Sequence, residues 1–388
     1  MKYDFDKITD RSGTGAVKWE EAGGCLPFWV ADMDLQTAPE IIDEITKRAE
    51  HGIYGYTMPE DSWYEAYMSW WKERHGLQIQ REWLIFSTGV IPTISSVVRK
   101  ITTPGENVVI QTPVYNNFRN CIENNGRVLV ENRLINDPST GYRMDMEDLE
   151  RKLADPQTSL FILCNPQNPS GNIWTENELA DIGQLGARYG VSVLSDEIHC
   201  DITAPGKSYV PFARVSDTCR KISITAVSPT KTFNLAGLQT SAVIVPDPFL
   251  RHKVWRGINT DEVGEGNCFA YLAAVAAFTQ GGEWLDCLRE YIWGNKKFIA
   301  DYINGNIPPL KADVSDATYL MWIDCRDIKV PEDTELAELI RREAGIDVND
   351  GHIYMGDGKG YIRFNAAAPR SLIEEGLARL KKGIENIR

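Results

Sequence analysis

Residues 160–201 read LFILCNPQNPSGNIWTENELADIGQLGARYGVSVLSDEIHCD. The apolar run 160–164 stops at Asn165-Pro166, so it reads as a buried strand. Residues 176–189 read as an amphipathic helix. Residues 191–195 form a second apolar run, which ends at Asp196-Glu197. Apolar strands separated by amphipathic helices imply an α/β domain around a mainly parallel sheet.

The alternation extends in both directions. Strands are predicted over 83–86, 107–110, 128–130, 222–227 and 241–245, and a helix over 90–100. Upstream, Thr37 is a candidate cap for a helix over 37–48, with Pro39 and Glu40 in its first turn. A second helix over 62–74 places Trp63, Tyr67, Trp70 and Trp71 near helical spacing, the pattern of a core face. After about residue 280 the order changes. Helices over 284–304, 333–343 and 371–386 flank strands over 317–323 and 360–364, the pattern of a smaller α+β domain. The expected division is an N-terminal arm with part of the small domain (1–48), a large domain (49–280) and a small C-terminal domain (281–388).

Composition narrows the function classes. The 388 residues suffice for two domains. Lys plus Arg total 41 against 55 Asp plus Glu, a net charge of -14, which argues against a general nucleic-acid binder. Eight cysteines include no CxxC pair and no zinc spacing. The first twenty residues hold no signal-peptide core, and no run of eighteen apolar residues suggests a membrane span. A cytoplasmic location is expected, with a small molecule as partner and neither nucleic acid nor membrane.

In open α/β sheets, ligand groups collect beyond the carboxyl ends of strands. Four candidates fall there: Gly89, Asn168, Asp196 and the stretch 228–231. In FSTGV (86–90) a strand runs into Ser-Thr-Gly and a helix start, which is either an anion site or an ordinary capped turn. In NPQNPSG (165–171) the Asn168 amide could donate to a ring oxygen, or the segment is only a rigid turn with Gly171 left-handed. In SDEIHCD (195–201) Asp196 leaves the strand first, and a carboxylate there can hold a proton on a pyridine nitrogen. Glu197 and His199 are metal-ligand types, yet no third ligand has matching spacing. In SPTKTFNLAGL (228–238) Ser228 and Lys231 can share one face of a tight turn, so a hydroxyl can meet a phosphate while an amine meets an aldehyde. A lone lysine is ordinarily a solvated charge, but this one follows a buried-looking strand and precedes an apolar, Gly-containing helix.

Together with DRSGTGAVKW (10–19), FWVADMD (28–34), YGY (54–56) and IRFNAAAPR (362–370), these motifs occur in the order of a known family. The chain resembles the aminotransferase class I and II family of pyridoxal 5'-phosphate (PLP) enzymes, fold type I. More narrowly, it is similar to the cystathionine beta-lyase, or cysteine carbon–sulfur lyase, branch. The resemblance spans essentially the whole chain.

It implies PLP held as a Schiff base on Lys231, which also moves protons. It pairs Asp196 with the pyridine nitrogen, Asn168 with the phenolic oxygen, and Tyr115 of TPVYNNF with the ring face. Gly89, Val90 and Ser228 would hold the phosphate, and Ile91 and His199 would lie at the cofactor. Tyr56 would reach the phosphate of a neighbouring subunit, so a homodimer with shared active sites is implied. Arg363 would bind the α-carboxylate of an amino-acid substrate by a bidentate fork.

Two positions depart from the broader pattern. Gln239 stands where many members carry a phosphate-binding arginine, and His199 where many carry a tyrosine. Both fit the lyase branch. The implied activity is β-elimination from L-cystathionine or related cysteine S-conjugates, giving a thiol, pyruvate and ammonia. The alternative is transamination of an L-amino acid, which shares the same first proton transfer.

Overall fold

The computed structural model describes residues 2–137, 141–331 and 334–387. Seven strands build the larger sheet: β1 (Leu84–Ser87), β2 (Asn107–Thr112), β3 (Val128–Arg133), β4 (Thr158–Cys164), β5 (Ser192–Asp196), β6 (Ser223–Val227) and β7 (Ser241–Ile244). Their order is β1-β7-β6-β5-β4-β2-β3. β7 runs against both its neighbours, and every other pair is parallel.

Both faces of this sheet are covered, which is why its central strands read as unbroken apolar runs. The helices used below are α1 (Pro39–Glu50), α2 (Asp61–His75), α3 (Val90–Ile101), α4 (Glu176–Tyr189), α5 (Pro248–Thr260), α6 (Ala270–Gln280), α7 (Gly282–Asn306), α8 (Leu336–Ala344) and α9 (Arg370–Ile387). Leu160 and Ile162 pack with Val97 and Val98 of α3 and Val254 of α5. Phe161 and Leu163 point the other way and pack with Leu179 and Ile182 of α4. The aromatic face of α2 is core, as its spacing predicts: Trp63, Tyr67 and Trp71 are fully buried, and Tyr67 meets Phe278 of α6 at 4.8 Å.

The second layer is a four-stranded antiparallel sheet of β8 (Lys311–Ala312), β9 (Leu320–Asp324), β10 (Asn349–Asp350) and β11 (Tyr361–Asn365), in the order β8-β9-β11-β10. Helix α9 packs on α7 and α8. The N-terminal segment joins this layer: Leu26–Pro27 pairs in parallel with Ile346–Asp347, and Phe28 stacks on Phe364 at 4.1 Å. No helix among the described residues is long and apolar enough to cross a membrane.

Three expectations need correction. Thr37 does not cap α1. Ala38 holds that position, Pro39 opens the helix without a donor to satisfy, and the Thr37 hydroxyl has no partner. No α-helix follows Lys231 directly. Asn234 and Gln239 adopt positive φ of 57° and 52°, which confines the stretch to a 3-10 turn, Ala236–Leu238. The strand expected over 317–323 begins only at Leu320, because Thr318 takes φ 62°. The helix expected over 333–343 is α8, and residue 333 lies outside the described residues.

Candidate active site

Register brings the candidates together. Cys164 of β4 pairs with Asp196 of β5, and Asp196 with Ala226 of β6. The turns holding Asn168, Asp196 and Lys231 therefore leave the sheet side by side. They open into a cavity of about 420 Å³. Gly89, Val90 and Ile91 at the start of α3, Tyr115 beyond β2, Asn168, Asp196, His199, Lys231 and Arg363 of β11 all line it. Gln239 lines it too.

Two expected residues do not. Ser228 is buried, but its hydroxyl is engaged in its own turn: it accepts from the Thr230 N–H at 3.0 Å and donates to the Thr240 carbonyl at 2.7 Å. Serine at an N-cap satisfies the turn before any ligand, and Thr230 lines the cavity instead. Tyr56 is fully exposed, in a stretch where Ile53, Tyr54 and Met58 are exposed as well.

The buried charges shape one another. Lys231 Nζ donates to the Ala31 carbonyl at 2.5 Å. Burial, helped by the nearby Arg363 charge, pushes the amine down to about 8. Burial pushes the Asp196 carboxyl up to about 7, although the Ile198 N–H donates to it at 3.1 Å. Burial and the charges of Lys231 and Arg363 push His199 down to about 3, so its imidazole is neutral. Burial also raises the Tyr115 hydroxyl, which accepts from Asn117 Nδ2 at 2.8 Å.

Arg363 is held as a fork. Nη1 donates to Asn168 Oδ1 at 3.2 Å, and Nη2 donates to the Trp29 carbonyl at 2.7 Å and Asn349 Oδ1 at 2.8 Å. Its Nε is buried without a partner, as is His199 Nδ1. Two cavity-lining residues thus keep an unused polar atom, and burying one without a ligand is costly.

The wall over Lys231 belongs to the N-terminal segment. Trp29, Val30 and Ala31 line the cavity. Asn365 donates to the Val30 and Asp32 carbonyls, and Tyr319 donates to the Ala31 carbonyl at 2.9 Å. Behind it, buried Asp34 accepts from Lys18 at 2.5 Å, Arg11 at 2.8 Å and Trp19 at 2.8 Å. The motifs at 10–19 and 28–34 are therefore one structural unit.

Sequence reasoning missed Trp29, Thr230, Asn349 and Tyr354 as lining residues. Trp29 and Thr230 sat inside quoted motifs, a signal that could have found them. Asn349 and Tyr354 precede the last motif and reach the cavity only through β10 and the turn beyond it. Glu197, weighed as a metal ligand, is engaged by Ser195, Tyr209 and the Phe212 N–H. Among the described residues, the grouping with metal-ligand atoms close together is His75, Cys200 and Asp201, within 4.8 Å of one another. His75 and Asp201 are hydrogen-bonded to each other at 2.8 Å.

This architecture has known counterparts. Residues 25–380 match the family described as aminotransferase class I and II. The chain belongs to that family. Cystathionine beta-lyase PatB of Bacillus subtilis (strain 168) is 39% identical over 386 residues, covering 98% of this chain and 99% of that protein. The crystal structure of cystalysin from Treponema denticola, which contains a pyridoxal 5'-phosphate cofactor, superposes with a TM-score of 0.96 at 32% identity, over 100% of both chains. The PLP-bound C–S lyase from Staphylococcus hominis gives 0.91 at 33% identity, over 98% of this chain and 99% of that one.

Proposed function

We propose that this family member is a PLP-dependent carbon–sulfur β-lyase that cleaves L-cystathionine or related cysteine S-conjugates to a thiol, pyruvate and ammonia. The observation that carries this reading is one cavity shared by a half-buried lysine, a buried aspartate and an arginine fork with an unused donor.

The residues fit PLP. Lys231 would hold it covalently, since its lowered pKa leaves a reactive neutral amine near physiological pH. Asp196, pushed up by burial in isolation, would recover its charge beside a protonated pyridine nitrogen. Gly89, Val90 and Ile91 start α3, where the first N–H groups lack intrahelical acceptors and suit a phosphate. Thr230 is better placed than Ser228 to add a hydroxyl there. Tyr115 would cover the ring, Asn168 would meet its phenolic oxygen, and the unpartnered His199 nitrogen offers a further polar contact.

Bound PLP supplies an electron sink for the carbanion left when an amino acid loses its α-proton. The chain contributes the rest. Lys231 Nζ takes that proton and returns it where needed. Asp196 retains the proton on the ring nitrogen. Arg363 fixes the α-carboxylate and thereby the direction of the Cα–H bond. Gln239 and His199 add no fixed positive charge, and a thiolate on Cβ leaves without a second cationic clamp.

On this reading residues 49–280 form the large cofactor-binding domain, 281–388 the small domain, and 1–48 an arm that joins it. Fully exposed Tyr56 is available to a second subunit, which supports a homodimer with shared sites. Eight free cysteines suit a reducing cytoplasm.

The test is direct. Incubation with L-cystathionine and no keto acid should give stoichiometric pyruvate over repeated turnovers. Turnover that needs a keto acid and leaves the carbon–sulfur bond intact would overturn the lyase reading in favour of an aminotransferase. Mixing Tyr56→Phe with Lys231→Ala subunits should regenerate some complete sites, and a fully active monomer in sedimentation would reject the shared-site dimer.

A further inference from the structure

The loop that starts at Asp196 ends on a second buried carboxylate, Asp201, which is 4% exposed. Its Oδ1 accepts from Trp70 Nε1 at 2.9 Å and from His75 Nε2 at 2.8 Å, both on α2. Its Oδ2 accepts from Thr232 Oγ1 at 2.9 Å. Burial pushes this carboxyl up, yet the bonds from His75, Trp70 and Thr232 outweigh it and hold the group below its usual range. An ionised carboxylate in such surroundings keeps its place only while its donors do.

Thr232 directly follows Lys231 and closes the one-turn helix Pro229–Thr232. The opening of that turn is fixed by Ser228, through Thr230 and Thr240. Its closing end is fixed by Asp201. A lysine side chain has enough rotatable bonds to wander, so its amine is placed by where its backbone stands and by its acceptor, the Ala31 carbonyl. Asp201 holds the neighbouring Thr232 by its hydroxyl, from the loop that starts at Asp196.

We propose that Asp201 is a positioning residue for the reaction: through Thr232 it sets where Lys231 stands relative to Asp196. The proposal rests on the PLP reading given above for the roles of those two residues. It assigns a task to the end of SDEIHCD, which the cofactor contacts leave without one. Displacements of about 1 Å at a reacting group can cost about a hundredfold in rate.

The experiment compares Thr232→Val, which removes the hydroxyl at nearly constant shape, with Thr232→Ser, which keeps it, and with Asp201→Asn. Two quantities are measured on the full-length protein. One is the pH midpoint at which Lys231 becomes reactive to acetic anhydride in protein from which PLP has been removed, read by peptide mass mapping. The other is kcat and KM for pyruvate release from L-cystathionine. Thr232→Val and Asp201→Asn should raise the midpoint, because a loosened turn lets water reach the amine. They should also lower kcat about ten- to hundredfold with KM within about threefold of the parent. Thr232→Ser should restore both quantities. If Asp201→Asn does not fold, the Thr232 pair decides alone. A Thr232→Val protein with unchanged midpoint and unchanged kcat overturns the proposal. Absence of any borohydride-fixed cofactor on Lys231 in the parent protein would overturn the PLP reading instead, and the midpoint comparison would still stand.

Discussion

Lys231 donates its amine proton to the carbonyl of Ala31, a residue 200 positions earlier in the chain. A neutral carbonyl stabilises a buried ammonium far less than a paired carboxylate would. Burial and Arg363 therefore prevail over the charges of Asp32 and Asp196, and the amine falls from 10.5 to about 8. The neutral form is the nucleophile, so capture of PLP by the cofactor-free protein should accelerate as pH rises through about 8 and level off above it. Initial rates of borohydride-fixable labelling against pH check this. A midpoint near 10.5 would show that the amine is not desolvated.

Arg363→Lys should lower kcat/KM for L-cystathionine about ten- to hundredfold, which is about 1.4–2.7 kcal/mol of lost transition-state binding. One ammonium cannot keep Asn168, the Trp29 carbonyl and Asn349 while also offering two parallel donors to a carboxylate. Steady-state pyruvate release measures the change. A variant with parental kcat/KM would remove Arg363 from the substrate site.

Asp34→Ala should destabilise the fold by about 3 kcal/mol, the lower end for a broken buried ion pair, because Asp32 remains 3.5 Å from Lys18. The double variant Lys18→Met/Asp34→Leu should lose less, since it leaves no uncompensated charge. Denaturant midpoints of the three proteins provide the comparison.

The same carboxylate sets an acid limit. Burial pushes Asp34 up, but the charge of Lys18 and the bonds from Lys18, Trp19 and Arg11 bring it below 3.8. Its contribution is therefore complete above about 3.8 and is lost as pH falls through the lower folded value. Acid unfolding followed by tryptophan fluorescence should shift to higher pH in Lys18→Met, where that charge is missing.

Gly171→Ala should be among the costlier single-methyl additions. Gly171 has φ +75°, and a Cβ there would lie 2.1 Å from Ser315 Oγ and 2.7 Å from the Ala317 carbonyl. Strain and overpacking together should cost about 2–4 kcal/mol. The melting temperature measures it, and Gly190→Ala separates the two terms: that residue also has positive φ but has open space around it.

The large sheet was legible because its strands are buried on both faces and end at punctuated turns: 160–164 before Asn-Pro, and 191–195 before Asp-Glu. Helix α6 was not, because AYLAAVAAFTQ is buried on most sides and shows no polar face to give it a period. The side chains at the cavity were mostly readable as motifs. The Ala31 carbonyl was not, since a backbone acceptor leaves no trace in residue type. The local bonds of Ser228 were not legible either: a serine before a proline-led turn caps that turn, and sequence spacing alone does not reveal which way its hydroxyl is engaged.

The bond between the Trp29 carbonyl and Arg363 spans 334 residues. During synthesis the wall of the pocket leaves the ribosome before any strand of the larger sheet, and the arginine it holds emerges after all of them. Until the strand Tyr361–Asn365 has emerged, the amino-terminal segment lacks the partner it docks on, and the Ala31 carbonyl that receives the Lys231 amine is not held in place. A translation product that stops short of Arg363 would carry the lysine without the charge that helps to lower its pKa and without the arginine proposed to bind the α-carboxylate. Completion of the polypeptide, and not merely folding of its central sheet, is what turns the amine into part of an enzyme.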